Sequence, residues 1–443
     1  MREKAALLGV MVAAIMLTTG SAGAVTYAPV DRPGPPLDVP AAQLAAGLSC
    51  PALPAAAQRD VVLLIPGTTV DPDQAFAWNY EAALQAQGIP YCTVTVPNHT
   101  DGDIQVAAEY VVHAVRTIRQ ASGRPVVMLG WSQGASTLPR WALRFWPDIR
   151  PMVASLIGLA PLNNTGSVVG NAPCLGGSCI PAAWQQAIGS NFMAALNSGQ
   201  QTFPGIAYSA IYTRFDDVVT PDFDGGLSRL PPGPNVLNVA IQDVCPADLT
   251  DHLGIVASAG GYAVAMPAIQ HPGQLPDLNH LAIPQPCVDG AMPYVTPAGF
   301  LSGEAGVVAP IPARLLQGTT TAEPPLRCYV TASCPGGAPT QTVVPSTAGT
   351  GAGALSRGCA DRLSFVLHAR RGRHIVRAVV RVSGRPVQTI LGKGAARLQI
   401  RPPARAKYRI TITSVDNRGA RRTTERRYRG CSKTRPRHTH RRR

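Results

Sequence analysis

Beyond residue 24 the 443-residue chain has no apolar run long enough to cross a bilayer, which takes about 20 consecutive apolar residues. The early run, Ala5 to Leu17, is too short for that. It lies between the positive start Arg2/Lys4 and the small-residue stretch Ala22-Gly23-Ala24. Residues 1–24 therefore read as a secretory signal, and the mature protein as exported and soluble. Cys-x-x-Cys is also absent, and no histidine cluster lies beside the 10 cysteines. No metal site is expected, and nothing in the residues implies an organic cofactor. In an exported chain the cysteines read as disulfides. Cys174/Cys179 and Cys328/Cys334 each enclose a short loop, and Cys359/Cys431 bracket the C-terminal segment. That segment is poor in stacking aromatics, with Tyr408 and Tyr428 its only tyrosines or tryptophans, so nucleic acid is not the expected partner.

Acidic residues are scarce at one end only. From Gly351 onward 26 Lys+Arg stand against Asp361, Asp416 and Glu425, whereas the remaining chain carries 14 Lys+Arg and 22 Asp+Glu. The overall +15 therefore divides into a mildly acidic body and a strongly basic tail region. Residues 335–355 are rich in Pro, Gly, Ser and Thr without apolar period and read as a flexible linker. The expected organisation is a body over 25–334, the linker, a basic domain over 356–434 and a basic tail over 435–443. Charge of this kind gives salt-sensitive, unspecific attraction, so the expected partner of the basic domain is an anionic cell envelope, lipid surface or polyanionic polymer.

In the body, strand-like and helix-like segments alternate. Val61 to Ile65 is a continuous apolar run closed by Pro66-Gly67. Asp73 to Gln87 has helical spacing, with Phe76, Tyr80 and Leu84 on one face. Tyr91 to Val96 is the next strand and Asp103 to Gln120 the next helix. Val126 to Trp131 follows as a strand, then a helix over Ala135 to Trp146, then strands at Val153 to Ala160, Ile206 to Tyr212 and Val236 to Ile241. Strands separated by helices predict an α/β fold, a mostly parallel sheet covered on both faces. Past the linker, short alternating segments between Ser364 and Tyr428, broken by Gly-containing turns, predict a small Ig-like antiparallel β-sandwich.

The most informative stretch is Gly130-Trp131-Ser132-Gln133-Gly134, between an apolar strand and a helix. Gly-x-Ser-x-Gly in that context is a nucleophile elbow, a tight strand-to-helix turn that exposes the serine hydroxyl and brings the next amide, that of Gln133, toward a developing oxyanion. A serine needs a base, normally histidine, oriented by a carboxylate. After Ser132 the body offers His252, His271 and His280. His252 follows a strand, whereas the other two sit in Pro-containing surface stretches. Asp216-Asp217 directly follow the strand ending at Tyr212, while Asp222 and Asp224 fall in what reads as open loop. The residues alone leave Asp216 and Asp217 as alternatives. Pro66-Gly67-Thr68-Thr69 stands where a second oxyanion donor, the Thr68 amide or hydroxyl, would come from.

Residues 41–300 resemble the Candida antarctica lipase B-like family of secreted α/β-hydrolases. The resemblance is carried by Leu64-Ile65-Pro66-Gly67-Thr68, Gly88-Ile89-Pro90-Tyr91-Cys92 and Trp131-Ser132-Gln133-Gly134, with Trp184-Gln185-Gln186, Tyr212 to Pro221 and Asp251-His252-x-Gly254. It implies a carboxylic ester hydrolase, most closely a lipase, with Ser132 as nucleophile, Asp216 as triad acid and His252 as base. It further implies Thr68 and Gln133 as the oxyanion hole, Trp131 and Gln186 in the substrate pocket, and disulfides Cys50–Cys92 and Cys245–Cys287. Two departures stand out. Leu162 replaces an aspartate at the foot of the pocket, and the Cys174–Cys179 loop replaces a short lid-like helix. Leu301 to Leu316 is a candidate apolar rim. The rival readings are an acyltransferase or polyester hydrolase on the same triad, and an envelope-binding protein with a vestigial hydrolase body.

Overall fold

The computed structural model describes residues 25–51, 58–167, 172–220, 222, 224–281, 287 and 290–334, and C-terminal strands within 363–429. The expected signal 1–24, the expected linker 335–355, the expected Cys359–Cys431 pair and the expected tail 435–443 lie outside the described residues. The chain divides into two compact units, one up to Gln341 and one from Thr342.

In chain order the first unit holds α1 (Ala41–Ala46), β1 (Leu48–Ser49), β2 (Val61–Ile65), α2 (Pro72–Phe76), α3 (Tyr80–Ala86), β3 (Tyr91–Val94), α4 (Ile104–Ser122), β4 (Val126–Trp131), α5 (Thr137–Phe145) and β5 (Val153–Leu159). It continues with α6 (Pro181–Gln185), α7 (Asn191–Leu196), β6 (Ala207–Tyr212), β7 (Val236–Ala240), α8 (Ile241–Val244), α9 (Ala259–Gln270), α10 (Pro297–Val308) and α11 (Ile311–Leu315). The seven strands form one sheet in the order β1-β3-β2-β4-β5-β6-β7. All pairings are parallel except the short edge pair β1–β3.

The continuous apolar runs make sense because both faces of the sheet are covered. Along β2, Val61, Leu63 and Ile65 enter one core and Val62 and Leu64 the other. On β4, Val126 and Met128 go one way, and Val127, Leu129 and Trp131 the other. A buried side chain of this size contributes about 1.5–3 kcal/mol, so these strands fix the sheet from both sides. The first core takes its helical cover from α4 and α5, the second from α2, α3 and α9. Helix α4 starts where the Asp103 carboxylate accepts from the Gln105 amide and stops at left-handed Gly123, whose amide returns to Arg119 O.

The strand order places the site. After β2 the chain turns outward to β3 on one side, then returns to lay β4 on the other side of β2. The connections from β2 and β4 therefore diverge and leave a crevice at their carboxyl ends, the usual ligand position of such a sheet. Ile65 pairs with Gly130 across that gap, so Pro66–Thr69 and the Ser132 turn emerge side by side.

One expected helix is two. Asp73 to Gln87 is interrupted between α2 and α3, because Asn79 uses its side chain locally. Its Oδ1 accepts from the Tyr80 amide and its Nδ2 donates to Ala75 O, which caps a new helix rather than continuing the old one. Phe76, Tyr80 and Leu84 remain buried in the same core, so the period-four spacing survives the break.

Among the described residues four disulfides form, Cys50–Cys92, Cys174–Cys179, Cys245–Cys287 and Cys328–Cys334. Among the described residues no helix is long and apolar enough to cross a membrane, and no group of three His, Cys, Asp or Glu gathers to hold a metal.

The second unit contains β8 (Leu363–Val366), β9 (Ile375–Val382), β10 (Arg385–Leu391), β11 (Arg397–Ile400), β12 (Lys407–Asp416) and β13 (Arg421–Arg429). They form a four-stranded sheet β10-β9-β12-β13 and a two-stranded sheet β11-β8, all antiparallel. Ile410 and Ile412 are buried, in register with Val382 and Val380, whereas Arg409 is exposed, so β12 has one dry face.

Candidate active site

Ser132 sits on the turn between β4 and α5 with φ +57°. The flanking glycines are steric requirements of that turn. A Cβ on Gly130 would lie 1.7 Å from Gly134 O, and one on Gly134 would lie 2.1 Å from Ile65 O. No side chain fits either place, so the elbow closes only with glycine at both.

His252 Nε2 is 3.0 Å from Ser132 Oγ, and its Nδ1 is 3.0 and 2.9 Å from the two oxygens of Asp216. The side chains of His252 and Asp216 are 3% and 0% exposed. Asp216 Oδ1 also accepts from the amides of Val218 (3.0 Å) and Val219 (2.6 Å), which fixes the carboxylate. The Trp131 indole donates to His252 O at 2.9 Å and anchors the loop that carries the base. Asp217, by contrast, is exposed, and its link here is the His252 amide at 3.4 Å. The geometry thus separates the two aspartates that the residues alone left open. Burial pushes the His252 imidazolium toward losing its proton, but the Asp216 carboxylate, with Asp217 and Asp251 behind it, outweighs that. The pKa is raised above the ordinary 6.5.

The other two histidines are elsewhere. His271 caps the end of α9 and His280 is exposed against Asp277. Asp222 departs from the open-loop expectation. It is buried, its Oδ1 accepts from Leu227 N at 2.7 Å, and the Ser228 hydroxyl donates to its Oδ2. Burial pushes its carboxyl up to about 6.

Next to the elbow, the Thr68 hydroxyl donates to Gln133 Oε1 at 2.8 Å and accepts from Gln186 Nε2 at 3.1 Å. Gln186 Nε2 also reaches Gln133 Oε1 at 3.2 Å, and Gln133 Nε2 donates to Thr100 O. Thr68, Gln133 and Gln186 therefore form one closed polar ring beside the serine. Thr69 has φ +65°, and Asn98, His99 and Thr100 follow one another at +58°, +56° and +63°. Left-handed backbone costs a non-glycine residue about 1–2 kcal/mol, so each of these positions is held there by its contacts. The Thr100 hydroxyl donates to Gly67 O, and the Thr69 amide donates to Asp101 Oδ1 at 2.8 Å. Burial raises the Asp101 carboxyl to about 6.

A cavity of about 240 Å³ opens on Ser132 and His252. Its walls are mostly apolar and include Trp131, Leu162, Ala183, Val219, Ile311 and Leu315, with Thr68 and Gln186 at the polar end. Of the expected rim over Leu301 to Leu316, Ile311 and Leu315 line this cavity, while Leu301 borders a separate groove with Leu249 and Phe300. The loop closed by Cys174–Cys179 packs with Ile180 and Ala183, and Leu315 packs against the same cluster. Sequence reasoning missed Asp101 and the Val218 and Val219 amides, because nothing local distinguishes them from ordinary loop residues.

A doubly covered parallel sheet with a serine elbow at its switch point, an aspartate-bound histidine within reach and an apolar cavity beside them defines an α/β-hydrolase acting on carboxylic esters. Lipase B of Pseudozyma antarctica is 30% identical over 242 residues, 53% of this chain and 69% of that protein. The crystal structure of Aspergillus fumigatus lipase B matches with a TM-score of 0.61 at 25% identity, over 70% of this chain and 75% of its own. No protein-family profile matches the chain. The chain belongs to the lipase B family.

Proposed function

We propose that this lipase cleaves carboxylic esters by acyl transfer through Ser132. The observation that carries the reading is the unbroken relay from Ser132 Oγ to His252 Nε2 and from His252 Nδ1 to Asp216, buried at one end of an apolar cavity. Ser132 Oγ attacks the ester carbonyl while His252 takes its proton, and Asp216 holds the imidazolium that forms. The amides of Thr68 and Gln133 receive the oxyanion. The Thr68 hydroxyl joins them by turning from Gln133 Oε1 to the oxyanion, and Gln186 Nε2 keeps Gln133 Oε1 bonded when it does. His252 then gives its proton to the departing alkoxide, and water repeats the sequence on the acyl-enzyme. Trp131, Leu162 and Gln186 bound the space for the acyl group.

The cavity is smaller than the roughly 300–1,000 Å³ of sites for drug-sized ligands, which favours short acyl chains. Hydrolysis of p-nitrophenyl butyrate and palmitate by the wild type and Ser132→Ala tests both points. The reading requires loss by about a thousandfold or more in the variant and a higher kcat/KM for butyrate. Equal rates in the two proteins would end it.

The four disulfides favour work outside the cell, the compartment in which such bonds persist. The C-terminal strands are read as an antiparallel β-sandwich whose excess of arginine attracts the enzyme to an anionic envelope or lipid surface. Such binding falls steeply with salt. Sedimentation of the full chain with anionic vesicles at low and high ionic strength checks it, and equal recovery with neutral vesicles would refute it.

A further inference from the structure

The residue that follows the oxyanion residue Thr68 is gripped at its amide and at its carbonyl by side chains outside the triad. Thr69 is 5% exposed and left-handed, and its amide goes to Asp101. Its carbonyl accepts from Arg314 Nη1, a partner 245 residues away. The same nitrogen donates to Gln74 Oε1 at 2.7 Å, and Arg314 Nη2 lies 3.6 Å from Asp71 Oδ2. Asp71 in turn takes His99 Nδ1 at 2.7 Å, which ties in the left-handed segment 98–100. Arg314 lies on α11, whose Ile311 and Leu315 line the cavity. One guanidinium therefore joins the cavity wall to the loop that presents the Thr68 amide.

We propose that Arg314 is a positioning residue for the oxyanion hole, clamping the Thr69 carbonyl so that the Thr68 donor keeps its place during acyl transfer. The inference rests on the serine-hydrolase reading above. A strained β-branched residue leaves the left-handed region when its bonds are removed. If Thr69 relaxes, the loop that carries Thr68 shifts with it, and the oxyanion loses a donor aimed at it. The group acts through the loop and touches neither substrate nor serine. Its loss therefore falls on kcat rather than on KM, because the oxyanion exists only in the transition state.

The test compares wild type, Arg314→Met and Arg314→Lys on p-nitrophenyl butyrate, with rates expressed per active site titrated by a fluorophosphonate. Methionine keeps the apolar stem, and lysine restores one donor. We expect a 10- to 100-fold fall in kcat for Arg314→Met with KM within about threefold, and partial recovery in Arg314→Lys. In a double-mutant cycle with Thr68→Val, the Arg314→Met effect should shrink, since both changes then act on one donor set. Unchanged kcat per titrated site, or effects that simply multiply, would overturn the proposal. If Arg314→Met yields no titratable protein, Arg314→Lys carries the same comparison. Failure of the wild type itself to react with the phosphonate at Ser132 would instead sink the underlying reading.

Discussion

Replacing Asp216 with Asn changes one atom of the site and tests its electrostatics. In the structure Asp216 Oδ1 is held by the amides of Val218 and Val219 at 3.0 and 2.6 Å, while Oδ2 faces His252 Nδ1 at 2.9 Å. The two amides require an acceptor, so an asparagine must leave its oxygen with them and turn its NH₂ toward His252. The imidazole then accepts at Nδ1 and carries its proton on Nε2, facing Ser132 Oγ with a donor where the mechanism needs an acceptor. The same substitution in chymotrypsin-type enzymes, where the tautomer is likewise wrong, lowers kcat by about 10⁴. That is about 5.5 kcal/mol of transition-state stabilisation, and a loss of about 10³–10⁴ is expected here. The pH profile should move as well. His252 is raised above 6.5 in the wild type because the aspartate outweighs burial, so kcat/KM should rise with pH through a value above 6.5. With the charge gone, burial dominates and the residual acid limb should shift to lower pH. Stopped-flow hydrolysis of p-nitrophenyl butyrate from pH 4 to 9 reads both effects. A loss below tenfold, or an acid limb that moves upward, would show that the Asp216 charge does not set the tautomer and pKa of His252. Asp217→Asn is the internal control and should cost less than about tenfold, since Asp217 is exposed and reaches the backbone of His252 rather than its ring.

Three further outcomes follow from particular contacts. Thr68→Val should lower kcat by about 10- to 100-fold with little change in KM, since removing a single oxyanion donor elsewhere costs about 10²–10³ and the Thr68 amide is retained; steady-state kinetics with butyrate checks it. Asp101 and Asp222, each raised to about 6 by burial, keep protons in the folded state that the unfolded chain releases near 3.8. Their contribution to stability is therefore fully present below the unfolded value and is lost as pH rises through about 6. Thermal unfolding at pH 5 and 8 should show a slope that flattens in Asp101→Asn/Asp222→Asn. Removing Cys50–Cys92, which joins residues 42 apart, should cost about 2–4 kcal/mol in urea unfolding of Cys50→Ala/Cys92→Ala, near the chain-entropy value for a loop of that length.

What could be read from the sequence was whatever is local or periodic. The β4 strand, the elbow glycines and the following helix are consecutive, and their spacing alone dictates a serine held out at a strand end. Its place just after an apolar strand selected His252 among the three histidines that follow Ser132. The choice between Asp216 and Asp217 was not legible in the residues, because both follow β6 and the deciding contacts, two backbone amides and burial, arise only in the folded turn. The break at Asn79 was hidden for the opposite reason, since two short helices preserved the spacing of one long one. Asp222 was misread because its partners Leu227 and Ser228 sit in a loop, 226–229, that Asn163 and Asn164 clasp from some 60 residues upstream. Arg314 was out of reach entirely, as a guanidinium meeting a carbonyl 245 residues away leaves no pattern.

The proposed function rests on passage of an acyl group through Ser132. Brief reaction of the full protein with p-nitrophenyl acetate, acid quench and peptide mass mapping test it directly. A burst of nitrophenol near one equivalent and an acetyl group on the peptide containing Ser132 are expected, with both lost in Ser132→Ala. Turnover with no burst and no acetyl on that peptide, or an unchanged burst in Ser132→Ala, would contradict it.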